Sequence, residues 1–253
     1  MTWLRIKTAM LMTFRMLFRQ TIVLILIFTI PLVFLSVVQL TSSENLLPIS
    51  LASTAAPKVL FFPELRISLV YMAIASCAFL VAFLSLYLVQ QNHKTNKRLI
   101  TCGYHPIELM LSILFALLII IVSIAVYIGI LIFLFDSFER FTGIVVGLAL
   151  VGFVYGCYGL LIGSLVKREL EGILLVLLLV NIDVGWLQNP VFYAQSANQE
   201  FIKFLPGYYP SQSTVIHAFT DFSTVNVNFS AFLYGISLLI FALLLFLNKM
   251  RLR

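Results

Sequence analysis

The stretch QQNHKTNKRLITCGYHPIELMLS, residues 90–112, is a short basic segment with a long apolar run on each side. It carries three of the sixteen Lys and Arg residues of the chain. Runs of about 18 or more apolar residues indicate helices that cross a membrane. The segment is therefore predicted to join two membrane spans, and the fold depends on how many such spans surround it.

The composition excludes a soluble fold. Of the 253 residues, 62% are hydrophobic and 10% are charged, whereas soluble domains contain roughly 25% charged residues. We therefore expect an all-α membrane protein with a single transmembrane domain over residues 1–253. Six spans are predicted, at about 21–40, 68–90, 109–135, 142–166, 172–187 and 229–248.

The distribution of basic residues predicts the orientation of these spans. Lys and Arg concentrate in cytoplasmic loops. With the N-terminus in the cytoplasm, six spans also return the C-terminus there. The inner residues are then Arg5, Lys7, Arg15, Arg19, Lys94, Lys97, Arg98, Lys167, Arg168, Lys249, Arg251 and Arg253, and the outer ones are Lys58, Arg66, Arg140 and Lys203. This placement in short loops suits membrane topology and argues against a nucleic-acid partner.

Residues 1–20 are predicted to form an amphipathic helix in the headgroup plane of the membrane. Arg5, Arg15 and Arg19 fall on one face at helical spacing, and Trp3 is among the apolar residues that cover most of the remainder. Two interpretations stay open. The helix is either an anchor at the membrane surface or a lever that a cytoplasmic partner moves.

Residues 91–107 are predicted to form the cytoplasmic loop between the second and third spans. The simplest interpretation is positive charge retained in the cytoplasm. The alternative is a short helix over about 93–102 that docks into another protein and ends at Gly103. Pro106 then suits the first turn of the third span, and Glu108 suits the positive end of that helix.

The outer segment 188–228 is the longest connection and is rich in aromatic residues. A flexible linker would be rich in Gly and Ser instead. We expect an ordered re-entrant hairpin between the fifth and sixth spans, either an interfacial cap or a gate. Its outer lid would contain Pro206, Tyr208, Tyr209 and Pro210.

Two features inside the spans have structural interpretations. Gly152, Gly156, Gly159 and Gly163 share one face of the fourth span, where a neighbouring helix can approach closely. Asp183 is the only acidic residue placed inside a span, which makes it a functional candidate. Since it lies near the end of the fifth span, we expect its carboxylate at the outer headgroup level.

The chain lacks the residue sets of common catalytic sites. No Gly precedes a Lys anywhere, so there is no phosphate-binding P-loop. The three His residues, His93, His105 and His217, fall in predicted loops rather than on facing spans. We therefore expect no enzyme activity, and any energy source should lie on another chain.

Four features occur together in this sequence. They are the basic segment from Trp3 to Gln20, the loop NKRLITCGYHPIELMLSIL, a short fifth span, and the stretch FLPGYYPSQSTVIHAF before the sixth span. In this combination the chain resembles the ATP-binding-cassette (ABC) type-2 permeases, the membrane half of certain exporters. The loop looks like that family's linker, in which a short coupling helix precedes P-x-E-L, and FLPGYYP looks like its LP-x-x-x-P segment. Many members have acidic residues at the start of the linker, whereas this chain has HKTNKR.

The resemblance implies a half-transporter that pairs with a second permease copy in the bacterial cytoplasmic membrane. A separate nucleotide-binding ABC ATPase would hold ATP and Mg, so this chain would need no cofactor or metal. Spans one, two and five would line the path, and the outer segment would act as a lid. The ATPase-coupling residues would be Lys94, Lys97, Arg98, Gly103, Tyr104 and His105.

The apolar and aromatic spans suit a lipophilic or amphipathic cargo, such as an antimicrobial peptide or a drug. Export of a polysaccharide or a lipid-linked molecule is the alternative within the same family. A membrane channel or scaffold that does not depend on ATP is the alternative outside it.

Overall fold

The computed structural model describes residues 3–51, 58–138, 140–189, 192–193, 196 and 199–251. Parts of the predicted outer segment (190–191, 194–195 and 197–198) and Arg253 of the basic tail lie outside these residues. The elements in chain order are α1 (Trp3–Phe18), α2 (Thr21–Thr41), β1 (Leu46–Leu51), β2 (Lys58–Pro63), α3 (Glu64–Gln91), α4 (His93–Thr101), α5 (Pro106–Phe135), α6 (Phe141–Leu165), α7 (Glu169–Ile182), a π-helical turn (Asp183–Leu187), α8 (Gln199–Lys203), α9 (Tyr208–Phe219) and α10 (Val225–Arg251).

The predicted six spans are confirmed as six helices that are long and apolar enough to cross a membrane. They are α2, α3, α5, α6, α7 with its π-helical turn, and α10. The short fifth span is three residues longer than predicted, because α7 begins at Glu169 and the segment to Leu187 has 19 residues. The chain is therefore a multi-pass, all-α membrane protein with little sheet.

Successive helices run in opposite directions between two ends of the bundle. At the end that carries α4, here the α4 end, the Lys249 ammonium of α10 donates to the carbonyl oxygens of Ser164 and Val166, 3.0 and 2.9 Å away. At the opposite end, here the hairpin end, Phe62 of β2 packs on Phe219 of α9 with ring centroids 4.6 Å apart.

The core lies between α3 and α6, which are the two most buried of the six spans. α5 is the next most buried and packs beside them. The predicted contact face of α6 is confirmed. A Cβ on Gly159 would overlap the Ala82 carbonyl oxygen and the Ser85 hydroxyl of α3. A Cβ on Gly152 would lie 2.7 Å from the Ile121 side chain of α5. The glycine face thus lets α3 and α5 approach the α6 backbone.

A two-stranded antiparallel hairpin between α2 and α3 departs from the purely helical prediction. The register pairs Leu46 with Pro63 and Leu51 with Lys58. Ile49 and Leu51 lie two residues apart and therefore face the same side of β1. Each is 1% exposed, so their burial against the bundle stabilises a structure that two isolated strands would not hold in water.

The predicted helix in the basic loop is confirmed as α4, His93–Thr101. It ends in a Schellman motif: the Tyr104 amide donates to Leu99 O (3.0 Å) and the Gly103 amide donates to Ile100 O (3.0 Å). Gly103 has φ +88°, a conformation that favours glycine because it has no Cβ. Pro106 then begins α5, as predicted.

Candidate functional site

The two groups of residues predicted to contact an ATPase and the membrane surface meet at the α4 end. The Arg5 guanidinium of α1 donates to Gly103 O at 3.0 Å. The same guanidinium lies over the Tyr104 ring, 5.3 Å from its centroid. We call α4, residues 102–105 and Arg5 the coupling surface. The sequence places these residues about a hundred positions apart, and the fold brings them into contact.

The outward side of α4 is basic. Arg98 is exposed and Lys97 is half-buried, and neither forms an ion pair with a described residue. Lys94 lies within the same helix. On the opposite side, Asn92 and Asn96 are buried one turn apart. Since the inner side is packed and the outer side carries unneutralised charge, the surface suits an acidic partner.

His105 has a capping role in addition to its predicted place in the loop. Its ring Nδ1 accepts from the Ile107 amide at 3.3 Å. Its own amide donates to the Glu108 carboxylate at 3.2 Å. This reciprocal pair satisfies amides that the first turn of α5 would otherwise leave free. The exit from the coupling surface into α5 is therefore fixed on both sides, by Gly103 and by the His105 cap.

The other residues predicted for the N-terminal helix lie on its exposed sides. Arg15 and Arg19 are exposed. Trp3 is also exposed, and its ring meets Phe115 of α5 edge-on at 6.1 Å. The buried face of α1 is made by Ile6, Ala9, Thr13 and Leu17. Only Arg5 of the predicted basic residues contacts the coupling loop.

Asp183 is the centre of a buried polar cluster near the hairpin end. Its Oδ2 accepts from the Tyr155 hydroxyl (2.5 Å) and the Gly207 amide (2.8 Å), and its Oδ1 accepts from Gln188 Nε2 (2.9 Å). Asp183 is 4% exposed. Protein donors from three elements surround this carboxylate, so it is not exposed, while its predicted depth at the outer headgroup level stays a prediction. We call these four residues the Asp183 cluster.

The predicted lid residues pack against this cluster. Gly207 precedes Tyr208, which is 2% exposed and buried with Tyr193, their ring centroids 5.9 Å apart. Burial raises the pKa of Tyr208, and the neighbouring Tyr193 hydroxyl adds to the increase. Pro210 is buried, while Pro206 and Tyr209 are half-buried. The lid segment is therefore part of the protein interior rather than a loose outer loop.

The helix α9 continues from the lid and buries an unusual polar run. Residues 211–214, SQST, are all buried. α9 lies so close to α6 that a Cβ on Gly147 would be 2.7 Å from the Thr214 Cα. The Ser213 hydroxyl donates to Asn228 Oδ1 of α10 at 2.5 Å. These polar contacts fix α9 between α6 and α10.

A polar cleft of about 480 Å³ opens at the hairpin end, between the start of α3, the loop after α5 and the end of α9. Its charged residues are paired: Arg66 with Asp136 (2.7 Å) and Arg140 with Asp221. Burial lowers the pKa of His217 in this cleft, and the Arg140 charge adds to the decrease. His217 Nε2 lies 3.0 Å from the Thr224 hydroxyl.

The sequence predicts the short helix α4, and its role in coupling stays a prediction, whereas the Asp183 partners and the cleft were not predicted. Among the residues that the structure describes, no three His, Cys, Asp or Glu side chains group as metal ligands do. The sequence matches no protein-family model and no curated protein. The function of the chain is therefore inferred from the geometry of these two regions and from the resemblance to ABC type-2 permeases.

Proposed function

We propose that this chain is the membrane-spanning permease subunit of an ATP-driven exporter of the ABC type-2 class. A separate nucleotide-binding ABC ATPase would supply ATP, Mg and the power stroke. The observation that carries the proposal is α4: a short helix between two spans, basic on its outer side, packed on its inner side and held to α1 by Arg5. A helix of this kind can bind a soluble partner and transmit the partner's movement to the two spans that it joins.

The orientation of the chain follows from its charge. Among the described residues, the basic ones assigned above to the inner loops lie in the segments that meet at the α4 end. Because basic loops stay in the cytoplasm, the α4 end faces the cytoplasm and both termini lie there. α1 then lies at the inner surface of the bacterial cytoplasmic membrane, and residues 188–228 form the outer re-entrant hairpin and lid.

Movement of α4 would reach the spans through two contacts. Asn92 continues directly from α3 and its side chain donates to Leu88 O at 2.8 Å. Arg5 ties the C-terminal end of α4 to α1. A displacement of α4 therefore acts on α3 along the chain and on α1 through the Arg5 contact. This favours the lever over the passive anchor for α1.

The exposed spans suggest where a second copy and a cargo would meet the chain. α2 and α7 leave apolar side chains such as Phe34 and Leu178 exposed, while α3 between them has no fully exposed side chain from Glu64 to Gln90. α2, α7 and α10 are the least buried of the six spans. Spans one, five and six would thus offer most of the surface for a partner permease. The apolar surface suits a lipophilic or amphipathic cargo, such as a peptide or drug. Polysaccharide or lipid-linked export is the alternative.

The proposal is tested by co-expressing the chain with the ATPases of its host and purifying it. We expect a P-loop ATPase to co-purify, and the double charge reversal Lys97→Glu with Arg98→Glu to release it. Lys167→Glu with Arg168→Glu is the matched control, because it reverses two charges in another loop at the α4 end. A chain that purifies alone, or one whose ATPase is lost equally in both variants, would favour a channel or scaffold.

A further inference from the structure

An apolar slot of about 290 Å³ lies between α1, α2 and α5, away from the coupling surface. Its walls include Phe14 and Phe18 of α1, Phe28 of α2 and Ser123 of α5. Phe18 and Phe28 are exposed along its rim. The Ser123 hydroxyl is already used, because it donates to Ile119 O within α5 at 2.9 Å. The slot therefore offers apolar surface without a free hydroxyl.

The slot is bounded by Tyr127 and Phe28 at the end that lies farther from the α4 end. The Tyr127 hydroxyl donates to Phe28 O at 2.7 Å, and the two rings meet edge-on at 5.2 Å. The lining residues Ile119 and Tyr127 are eight positions apart on α5, which corresponds to about 12 Å. This is less than half of the hydrocarbon core, which is about 30 Å thick. The slot is thus shorter than one leaflet is deep.

Two basic residues flank the slot at the α1 side. Arg15 and Arg19 lie one turn apart, and each follows a slot-lining phenylalanine in the sequence, Phe14 and Phe18 respectively. Both arginines are exposed, and neither forms an ion pair with a described residue. A guanidinium binds a phosphate through paired hydrogen bonds. The site therefore combines two cationic side chains with an apolar slot, which matches the anionic headgroup and the acyl chain of a phospholipid.

We propose that the slot binds one anionic phospholipid of the inner leaflet, with an acyl chain between α1, α2 and α5 and its phosphate on Arg15 and Arg19. The inference rests on the proposed orientation, which places the α4 end in the cytoplasm. A second copy of the chain fits the slot poorly, since a helix with its side chains is about 10–12 Å across. The bound acyl chain would contact all three helices and so stabilise the packing of α1 on α2 and α5.

The experiment is native mass spectrometry of the purified chain in detergent, with phosphatidylglycerol and phosphatidylcholine titrated separately. We expect one phosphatidylglycerol to be retained in preference to phosphatidylcholine. Arg15→Gln with Arg19→Gln should weaken phosphatidylglycerol binding about 30-fold, from about 1 kcal/mol for each basic residue near an anionic surface. The same variant should weaken phosphatidylcholine binding by a smaller factor, because the choline charge already offsets the phosphate that the two arginines would contact.

The acyl-chain half of the site is tested by filling it. Ser123→Phe should reduce the retention of both lipids, whereas Val122→Phe, one position away and outside the slot lining, should not. Lys167→Gln with Arg168→Gln is the control for charge. The proposal is overturned if selectivity persists without Arg15 and Arg19, if the two Phe variants bind lipid equally, or if Ser123→Phe instead dissociates a dimer. These readouts do not involve the ATPase, so their failure is separate from failure of the proposed function.

Discussion

Tyr155→Phe is the most direct test of the Asp183 cluster, because it removes one donor and keeps the ring. The hydroxyl lies 2.5 Å from Asp183 Oδ2, and Tyr155 is 1% exposed, so water has little access to the site. A hydrogen bond to a charged group contributes about 1.5–3 kcal/mol. We therefore expect Tyr155→Phe to lower the free energy of unfolding by about 1.5–3 kcal/mol.

Replacing the acceptor should cost more than replacing one donor. Asp183→Leu would leave the Tyr155 hydroxyl, the Gly207 amide and Gln188 Nε2 without their acceptor. Each buried donor left unpaired costs about 1–3 kcal/mol, so the sum is roughly 3–9 kcal/mol. Asp183→Asn keeps one acceptor oxygen and should fall between Tyr155→Phe and Asp183→Leu.

The assay is equilibrium unfolding in mixed detergent micelles, with Tyr158→Phe as the matched control. Tyr158 lies on the same helix with its ring 6.3 Å from that of Tyr155, and its hydroxyl has no hydrogen bond to a described residue. Removing that hydroxyl should change stability by no more than about 0.5 kcal/mol. In the Asp183→Leu background, Tyr155→Phe should instead restore about 1–3 kcal/mol, because it removes the hydroxyl that was left unpaired. Equal losses for the two Phe variants, or full additivity with Asp183→Leu, would refute the reasoning.

Three further changes test other parts of the chain. Arg5→Gln should uncouple ATP turnover from transport while leaving the ATPase bound, because the contact to Gly103 is lost but α4 remains. Lys7→Gln, at an exposed position of α1, is the comparison in the same assays, and equal effects would remove Arg5 from the mechanism. Gly159→Ala should lower the free energy of unfolding by about 1–3 kcal/mol, because the new Cβ would overpack against the α3 backbone. Gly185→Ala is the control, since a Cβ there would lie 3.3 Å from its nearest neighbour, Asn181 Oδ1. Because burial and Arg140 lower the pKa of His217 below its usual 6.5, stability should be full above about pH 6.5 and fall as the pH drops below it. His217→Gln should flatten that pH profile, and an unchanged slope would show that another group is responsible.

The spans and α4 could be predicted because both depend on local properties of the sequence. A long apolar segment in lipid must form all of its backbone hydrogen bonds internally, so hydropathy alone locates a helix there. α4 ends at Gly103 because glycine readily adopts the positive φ that its C-terminus requires. The start of α7 was placed three residues late for a related reason. Glu169 and Glu171 interrupt the apolar run, but acidic residues suit the positive end of a helix, so the helix includes them.

The Asp183 cluster could not be predicted because its donors come from distant parts of the chain. Tyr155 and Gly207 are 28 and 24 residues away from Asp183. The nearby sequence, with Asn189 beyond the span, indicated an exposed environment instead. The β-hairpin was missed for a similar reason, since strands of six residues each are stable here only where Ile49 and Leu51 find the bundle surface.

The two regions are connected by α3, and this connection bears on the proposed function. α3 has 28 residues, which corresponds to about 42 Å of helix. At one end it runs into α4 through Asn92, and near the other end the Tyr71 hydroxyl donates to Val184 O at 2.5 Å, beside Asp183. Since α3 is buried along most of its length and packed against the glycine face of α6, we expect it to shift as a unit rather than to bend. A displacement of α4 would then act on the π-helical turn that holds the Gly207 amide, so an ATPase at the coupling surface could loosen the lid without contacting it.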